Sequence, residues 1–155
     1  TNNQAFSARL GSEIGLRVAY AAAPFDAAAA AAVLPYLDLL VLNEIEAEQL
    51  AEATATRLED FPVADIIVTL GARGCRWINT RSGESKGFPA KMVTPVDTTG
   101  AGDTFTGYLL AALDLGQTME QAIELGTRAG AVMVTRPGTA DVIPSFQDVQ
   151  AAFSD

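Results

Sequence analysis

Short apolar runs alternate along the chain with longer segments whose apolar residues recur at helical spacing. Uninterrupted apolar runs are typical of strands buried on both faces, whereas helical recurrence is typical of helices with one buried face. The predicted strands cover residues 16–21, 39–42, 66–70, 75–79 and 84–88. The predicted helices cover residues 3–14, an alanine-rich run from Asp26 to the residue before Pro35, 44–53, 104–115, 118 to about 135, and a last one from Ser145.

The order of these elements predicts the fold class. Strands that alternate with helices indicate an α/β fold with a parallel sheet covered on both faces. The last two strands flank a turn at Ser82 and Gly83 and predict a hairpin. No internal repeat is visible, so a chain of 155 residues predicts one domain.

Composition and charge narrow the function classes. The chain has 10 Lys and Arg against 19 Asp and Glu, and a net charge of -9 repels nucleic acid. No apolar run approaches the ~20 residues that cross a bilayer, so no membrane partner is expected. With no His in the chain, proton transfer falls to carboxylates, Lys or Tyr. The single cysteine, Cys75, suits a reducing cytoplasm, and a start at Thr1 without a signal-peptide pattern predicts a fragment.

A glycine-rich stretch precedes the fourth predicted helix. A helix N-terminus presents unpaired N–H groups, and Gly100, Ala101 and Gly102 let an anion approach them closely. Asp103 would repel phosphate, but it suits a base that takes the proton of a hydroxyl during phosphoryl transfer. The alternative is that Asp103 only caps the helix and that the glycines only turn the chain. The stretch matches neither a Walker A motif nor the dinucleotide fingerprint.

Four segments carry a longer pattern. They are Asp97–Leu110 (DTTGAGDTFTGYLL), Asn43–Glu46 (NEIE), Thr69–Gly74 (TLGARG) and Val134–Gly138 (VTRPG). Together they resemble the ribokinase-like (PfkB) carbohydrate kinases over essentially the whole chain. The resemblance implies a three-layer α-β-α sandwich with a mostly parallel sheet. Residues 1–155 would be the C-terminal nucleotide-binding and catalytic portion of that domain, without its N-terminal half and its lid.

The resemblance also implies catalytic and magnesium-binding roles. Asp103 would take the proton from a sugar hydroxyl, and the amides of Gly100–Gly102 would stabilise charge on the transferring phosphoryl group. Glu46 would organise Mg²⁺ through water, because magnesium gives up its hydration shell reluctantly, and Asn43 would lie near the nucleotide phosphates. Without the resemblance, Glu46 would be one of several acidic residues on a solvated helix face.

By the same resemblance, Thr69, Gly71 and Gly74 form the turn on the nucleotide side, where small residues leave room for a ligand. The alternative is a plain hairpin turn. Thr127 stands where several relatives carry an Asn beside the adenine.

A monovalent cation site is a further implication of the resemblance. Asp97 and Thr99 resemble positions whose backbone carbonyls, with others at the positions near Arg136 and Gly138, hold a monovalent cation such as K⁺ in many members of the family. Val142 stands where some members carry a Ser near that cation, so this chain departs from the pattern there.

The resemblance therefore implies a kinase that uses ATP and Mg²⁺ to phosphorylate a small sugar, of the ribokinase, fructokinase or ketodeoxygluconate kinase type. Alternatives are a nucleoside kinase acting on an adenosine-like acceptor, a non-catalytic nucleotide-binding relative, and a Rossmann-like oxidoreductase domain. The missing half predicts that the fragment alone is inactive. It also predicts an exposed apolar face that pairs with a second copy or with the N-terminal half.

Overall fold

The computed structural model describes residues 2–153, so Thr1, Ser154 and Asp155 of the predicted 1–155 portion lie outside the described residues. The helices in this range are α1 (Asn2–Glu13), α2 (Ala27–Val33), α3 (Glu44–Thr54), α4 (Ala101–Asp114), α5 (Met119–Met133) and α6 (Phe146–Ala152). The strands are β1 (Ala19–Ala21), β2 (Leu39–Asn43), β3 (Asp65–Thr69), β4 (Cys75–Asn79) and β5 (Glu84–Phe88). Short 3-10 turns lie at Leu34–Tyr36, Leu58–Asp60, Gly71–Arg73 and Ala140–Val142.

The strands form one sheet in the order β1-β2-β3-β4-β5. β1, β2 and β3 run parallel, and β4 runs antiparallel to β3. β5 lies beside β4, as the predicted hairpin requires. The parallel register sets Asn43, the last residue of β2, beside Thr69, the last residue of β3. The prediction of an α/β fold with a mostly parallel sheet is confirmed.

The first strand is shorter than the predicted 16–21, because the residues after α1 close that helix. Gly15 adopts a φ of 80°, and the amide of Leu16 donates to the carbonyl of Gly11 at 2.9 Å. A left-handed glycine with this backward hydrogen bond is a common helix ending. The strand therefore begins only at Ala19.

Tertiary contacts divide the chain into two compact units. The first contains residues up to Gly71 together with Cys75–Gly87. Its core joins α1, α2 and α3 to one face of the sheet, through side chains such as Leu40, Leu50 and Ile66, each 0% exposed. The opposite face of β2 and β3 is buried as well, at Leu39, Val41 and Ile67, as their uninterrupted apolar runs predict.

The second unit contains Ala72–Gly74 and the residues from Phe88 onward. In this unit α4 packs against α5 at close range, because Gly126 leaves room for α4. A Cβ at Gly126 would lie 2.8 Å from the carbonyl oxygen of Phe105. Leu109 of α4 and Ile123 and Met133 of α5 are at most 1% exposed, so both helices contribute to a buried core in this unit. Within residues 2–153, no helix is long and apolar enough to cross a membrane.

Candidate functional site

The glycine-rich stretch forms the first turn of α4. Gly100 is the N-cap residue with φ 74° and ψ 2°, a left-handed conformation that L side chains rarely adopt. The helix begins at Ala101, earlier than the predicted Thr104, so Asp103 lies inside the first turn rather than before it. The missed boundary follows from the glycines, which weaken a helical pattern without preventing the helix.

Two amides of this turn remain available to a ligand. The amide of Ala101 donates to the carbonyl of Thr98 at 3.3 Å, and that of Thr104 donates to Gly100 at 2.9 Å. The amides of Gly102 and Asp103 lie between them, where a helix offers no acceptor of its own, and Gly100 has no side chain to cap them. Gly102 is exposed, and a Cβ built on it would meet no atom within 4 Å. The first turn of α4 can therefore receive an anion.

Asp103 is exposed in the same turn. In the described part of the chain its carboxylate makes no hydrogen bond or ion pair, and the N-cap position belongs to Gly100. The interpretation of Asp103 as a helix cap therefore has no support in the structure. This carboxylate makes no structural contact and lies in the same turn as two open amides, and its role as a general base stays a prediction.

The side chain of Asp97 stabilises the turn before α4 by accepting backbone hydrogen bonds. Its Oδ1 accepts the amide of Thr99 at 2.9 Å, and its Oδ2 accepts the amide of Gly138 at 3.4 Å. The hydrogen bonds from Thr99, and then the one from Gly138, lower the pKa of Asp97. Sequence reasoning considered only the carbonyl of Asp97. The spacing Asp-x-Thr, typical of a side chain that bonds the amide two residues later, was the available signal.

The end of α5 lies beside this turn. A Cβ at Gly130 would approach the carbonyl oxygen of Ala101 to 3.5 Å, and one at Gly100 would lie 3.1 Å from the Cε of Met133. Thr127 is half-buried on α5, about one turn before Gly130. The structure thus brings Thr127 onto the helix that packs against the start of α4, and its contact with a nucleotide stays a prediction.

In the first unit, Asn43 and Glu46 form a reciprocal cap at the start of α3. Asn43 Oδ1 accepts the amide of Glu46 at 2.9 Å, and Glu46 Oε2 accepts the amide of Asn43 at 2.8 Å. The spacing Asn-x-x-Glu at the start of a helix is typical of this reciprocal cap and was the signal available in the sequence. Glu46 Oε1 makes none of these bonds, and a carboxylate oxygen suits a hydrated Mg²⁺. Residues 2–153 contain no cluster of three or more acidic or Cys side chains able to hold a metal.

The segment after β3 holds the remaining predicted residues. The hydroxyl of Thr69 donates to the carbonyl of Leu42 at 3.4 Å. Gly71 has a φ of 58° and open space at its Cβ position, as room for a ligand requires. Gly74 differs, because a Cβ there would collide with the carbonyl oxygen of Phe88 and lie 2.7 Å from the amide of Ala90. Packing therefore explains Gly74 without a ligand, and its nucleotide role stays a prediction.

The predicted site residues fall into two groups. One group lies in the first unit and comprises Asn43, Glu46, Thr69 and Gly71. The other lies in the second unit and comprises Gly74, Asp97, Thr99, Gly100, Ala101, Gly102, Asp103 and Thr127. Within the second group, the residues from Asp97 to Asp103 form one continuous hydrogen-bonded turn and helix start.

Comparisons with known proteins identify the family of the chain. The model of the pfkB family carbohydrate kinases matches residues 10–145. A ribokinase from Schizosaccharomyces pombe is 34% identical over 135 residues, which are 79% of this chain and 42% of that protein. An adenosine kinase from Saccharomyces cerevisiae is 30% identical over 143 residues, 81% of this chain and 40% of that protein. The chain thus spans less than half the length of these relatives.

Solved structures show the same fold. A ribokinase from Thermotoga maritima superimposes with a TM-score of 0.83 at 31% identity, covering 96% of this chain and 52% of that one. A ribokinase from Cryptococcus neoformans, in complex with ADP, gives a TM-score of 0.88 over 97% of this chain and 57% of its own. Its 22% identity supports the fold alone.

Proposed function

Because this chain belongs to the pfkB family of carbohydrate kinases, we propose that it carries the nucleotide-binding and catalytic portion of an ATP-dependent sugar kinase. The observation that carries the proposal is the first turn of α4, where the open amides of Gly102 and Asp103 adjoin an unengaged carboxylate. Amide donors that face a developing negative charge are typical of phosphoryl transfer sites. A carboxylate beside them accounts for the activation of an alcohol.

In the proposed reaction, Asp103 takes the proton of the acceptor hydroxyl. The hydroxyl oxygen forms a bond to the γ-phosphorus of ATP while the bond between that phosphorus and ADP breaks. The amides of Gly102 and Asp103 donate to the phosphoryl oxygens. Ala101 contributes less than the resemblance implies, since its amide already donates to Thr98. Mg²⁺, when bound, neutralises charge on the phosphates.

The other proposed roles follow the resemblance. Glu46 organises hydrated Mg²⁺ and Asn43 lies near the phosphates, while Thr69, Gly71, Gly74 and Thr127 form the nucleotide side. The carbonyls of Asp97 and Thr99 are the candidates for K⁺. An ATP-dependent reaction and an unpaired buried cysteine, Cys75, favour the cytoplasm as its location.

The acceptor class is a sugar, with a nucleoside as the second candidate. The ribokinase relative supports a pentose, and the adenosine kinase relative supports a nucleoside at similar identity. Both acceptors present a hydroxyl to the same base, so the presence of Asp103 does not distinguish a sugar kinase from a nucleoside kinase. Phosphorylation assays with ribose, fructose and adenosine distinguish them.

The test compares Asp103→Asn with Asp114→Asn in the complete gene product. Both replace an aspartate of α4 with its amide, at the first and the last turn respectively. We expect Asp103→Asn to lower ATP-dependent phosphorylation of the preferred acceptor by about 10²- to 10⁴-fold while it keeps ATP affinity within about threefold. Asp114→Asn should keep both the phosphorylation rate and the ATP affinity of the wild type. Full turnover by Asp103→Asn would rule out the base, and a wild-type protein that binds ATP but phosphorylates nothing would favour a non-catalytic relative.

We also propose that the 155-residue chain is inactive without the part of the fold that its relatives contain in addition. Sugar phosphorylation by the chain alone would disprove this. Exposed apolar side chains on and after α1 support pairing with that part or with a second copy: Phe6 is 57%, Leu10 45%, Ile14 65% and Leu16 61% exposed. Light scattering that shows a monodisperse monomer would contradict the pairing.

A further inference from the structure

The segment between α5 and α6 is fastened at several points to the turn before α4. We call residues 136–145 the C-terminal loop. The amides of Val96 and Asp97 donate to the carbonyl of Val134, just before the loop, at 2.7 and 3.1 Å. Within the loop, the amide of Gly138 donates to Asp97 Oδ2. Near its C-terminal end the loop also contacts α4: the hydroxyl of Tyr108 donates to the carbonyl of Pro144 at 2.5 Å.

Arg136 closes this loop on itself. Its Nη1 donates to the carbonyl of Val142 at 3.2 Å, and its Nη2 lies 3.2 Å from Asp148 Oδ2. The same Asp148 oxygen accepts the amide of Ser145 at 2.8 Å, as part of the cap of α6. One guanidinium thus joins the beginning of the loop to its end and to α6.

Gly138 lies inside the closed loop. It has a φ of 133°, and a Cβ built on it would lie 3.1 Å from Val142 Cγ1, so Val142 lies beside it. The amide of Val142 donates to the carbonyl of Thr139, the residue after Gly138, at 3.1 Å, and the carbonyl of Val142 accepts from Arg136. The amide of Gly138 donates to Asp97, which also accepts hydrogen bonds from Thr99 in the turn before α4.

From these contacts we infer that Arg136 is a positioning residue for phosphoryl transfer. This inference rests on the function proposed above. Arg136 touches no reacting group. Arg136 holds the C-terminal loop closed, and the loop places the Gly138 amide against Asp97. Asp97 in turn holds the amide of Thr99, which precedes the first turn of α4. The Arg136–Asp148 pair has side chains 32% and 43% exposed, and such pairs add little stability. Its effect is therefore expected on catalysis rather than on folding.

The test uses the complete gene product with Arg136→Gln, Arg136→Lys and Asp148→Asn. We expect Arg136→Gln to lower kcat by about 10- to 100-fold with KM for ATP and acceptor within about threefold, because small displacements at a reacting centre cost rate. Arg136→Lys restores part of kcat. Asp148→Asn lowers kcat as well, and the double variant is no slower than Arg136→Gln, because both changes break the same connection. The control is Arg57→Gln, which removes a guanidinium lying 3.2 Å from Asp60 and leaves kcat unchanged.

Wild-type kcat in Arg136→Gln, or a fall equal to that of Arg57→Gln, would overturn the inference while the proposed function stands. A wild-type protein without turnover would instead refute the proposed function. In that case amide hydrogen exchange decides the structural part of the inference, the connection from Arg136 to Asp97: Arg136→Gln speeds exchange at Thr99 and Gly138 by at least about tenfold if the connection exists. Unchanged exchange at both amides would overturn it.

Discussion

At the scale of single residues, Gly74 and Gly83 both have a positive φ but differ in their surroundings. Their φ angles are 97° and 76°, so a side chain is strained at either position. At Gly83 a Cβ would meet no atom within 4 Å, whereas at Gly74 it would collide with the backbone of Phe88. The pair therefore separates conformational strain from a direct clash.

Gly83→Ala should lower the free energy of unfolding by about 1–2 kcal/mol, the cost of a left-handed L residue. Gly74→Ala adds a collision with backbone atoms that cannot rotate away, and should cost at least about 3 kcal/mol. Urea denaturation of both variants measures the difference. Equal losses would mean that the close approach of Phe88 to Gly74 does not determine stability.

Cys75 is a buried thiol at the start of β4. Its side chain is 3% exposed. Burial raises the pKa of its thiol to about 11. Such a thiol is protonated near neutral pH, so Cys75 packs as a small hydrophobe and supplies no nucleophile.

At the scale of elements, the cap of α3 gives Asn43 and Glu46 a structural role that competes with their proposed role in binding nucleotide and magnesium. The chain itself offers the replacements that separate the two. Asp26 caps α2, with its Oδ1 accepting the amide of Ala29 at 2.7 Å. Gln121 completes the same reciprocal cap at α5.

We expect Asn43→Asp and Glu46→Gln to keep α3 stable, because Asp and Gln serve these cap positions equally well. Asn43→Asp should weaken ATP binding about tenfold by placing a negative charge near the phosphates. Glu46→Gln should raise the Mg²⁺ concentration required for half-maximal turnover. Thermal denaturation, ATP titration and Mg²⁺ titration of the complete gene product measure these effects.

Asn43→Ala serves as the structural control, since it removes the cap without adding charge. It should lower stability by about 1 kcal/mol. If Asn43→Asp binds ATP as tightly as the wild type, Asn43 is only a helix cap. A Mg²⁺ requirement unchanged in Glu46→Gln would assign Glu46 to the cap in the same way.

The elements themselves were largely predictable from local pattern. Apolar runs located β2 and β3, and the turn at Ser82 and Gly83 located the hairpin of β4 and β5. Thr118 and Ser145, at which the last two helices were predicted to start, are the N-cap residues of α5 and α6. The errors lie at glycines. Gly15 ends α1 with a turn that shortens β1, and Gly100 starts α4 earlier than predicted. In both cases a left-handed glycine sets the boundary, and apolar spacing carries no information about backbone conformation.

At the scale of the whole molecule, the family and its fold were predictable because their motifs are continuous in sequence. The connections between motifs were not. Gly138 reaches back 41 positions to Asp97, and Pro144 reaches back 36 positions to Tyr108. Neither contact produces a pattern in the sequence, so the proposed role of Arg136 could be inferred only from the three-dimensional structure. The roles of the individual site residues stay predictions.

The central claim is that the first turn of α4 receives the phosphoryl group, and NMR of the ¹⁵N-labelled protein titrated with Mg²⁺-ATP tests it directly. The claim predicts that the amide signals of Gly102 and Asp103, the open donors of that turn, show saturable shifts among the largest in the spectrum. If those two signals stay in place while other amides respond to ATP, or if no amide responds at all, the claim is wrong.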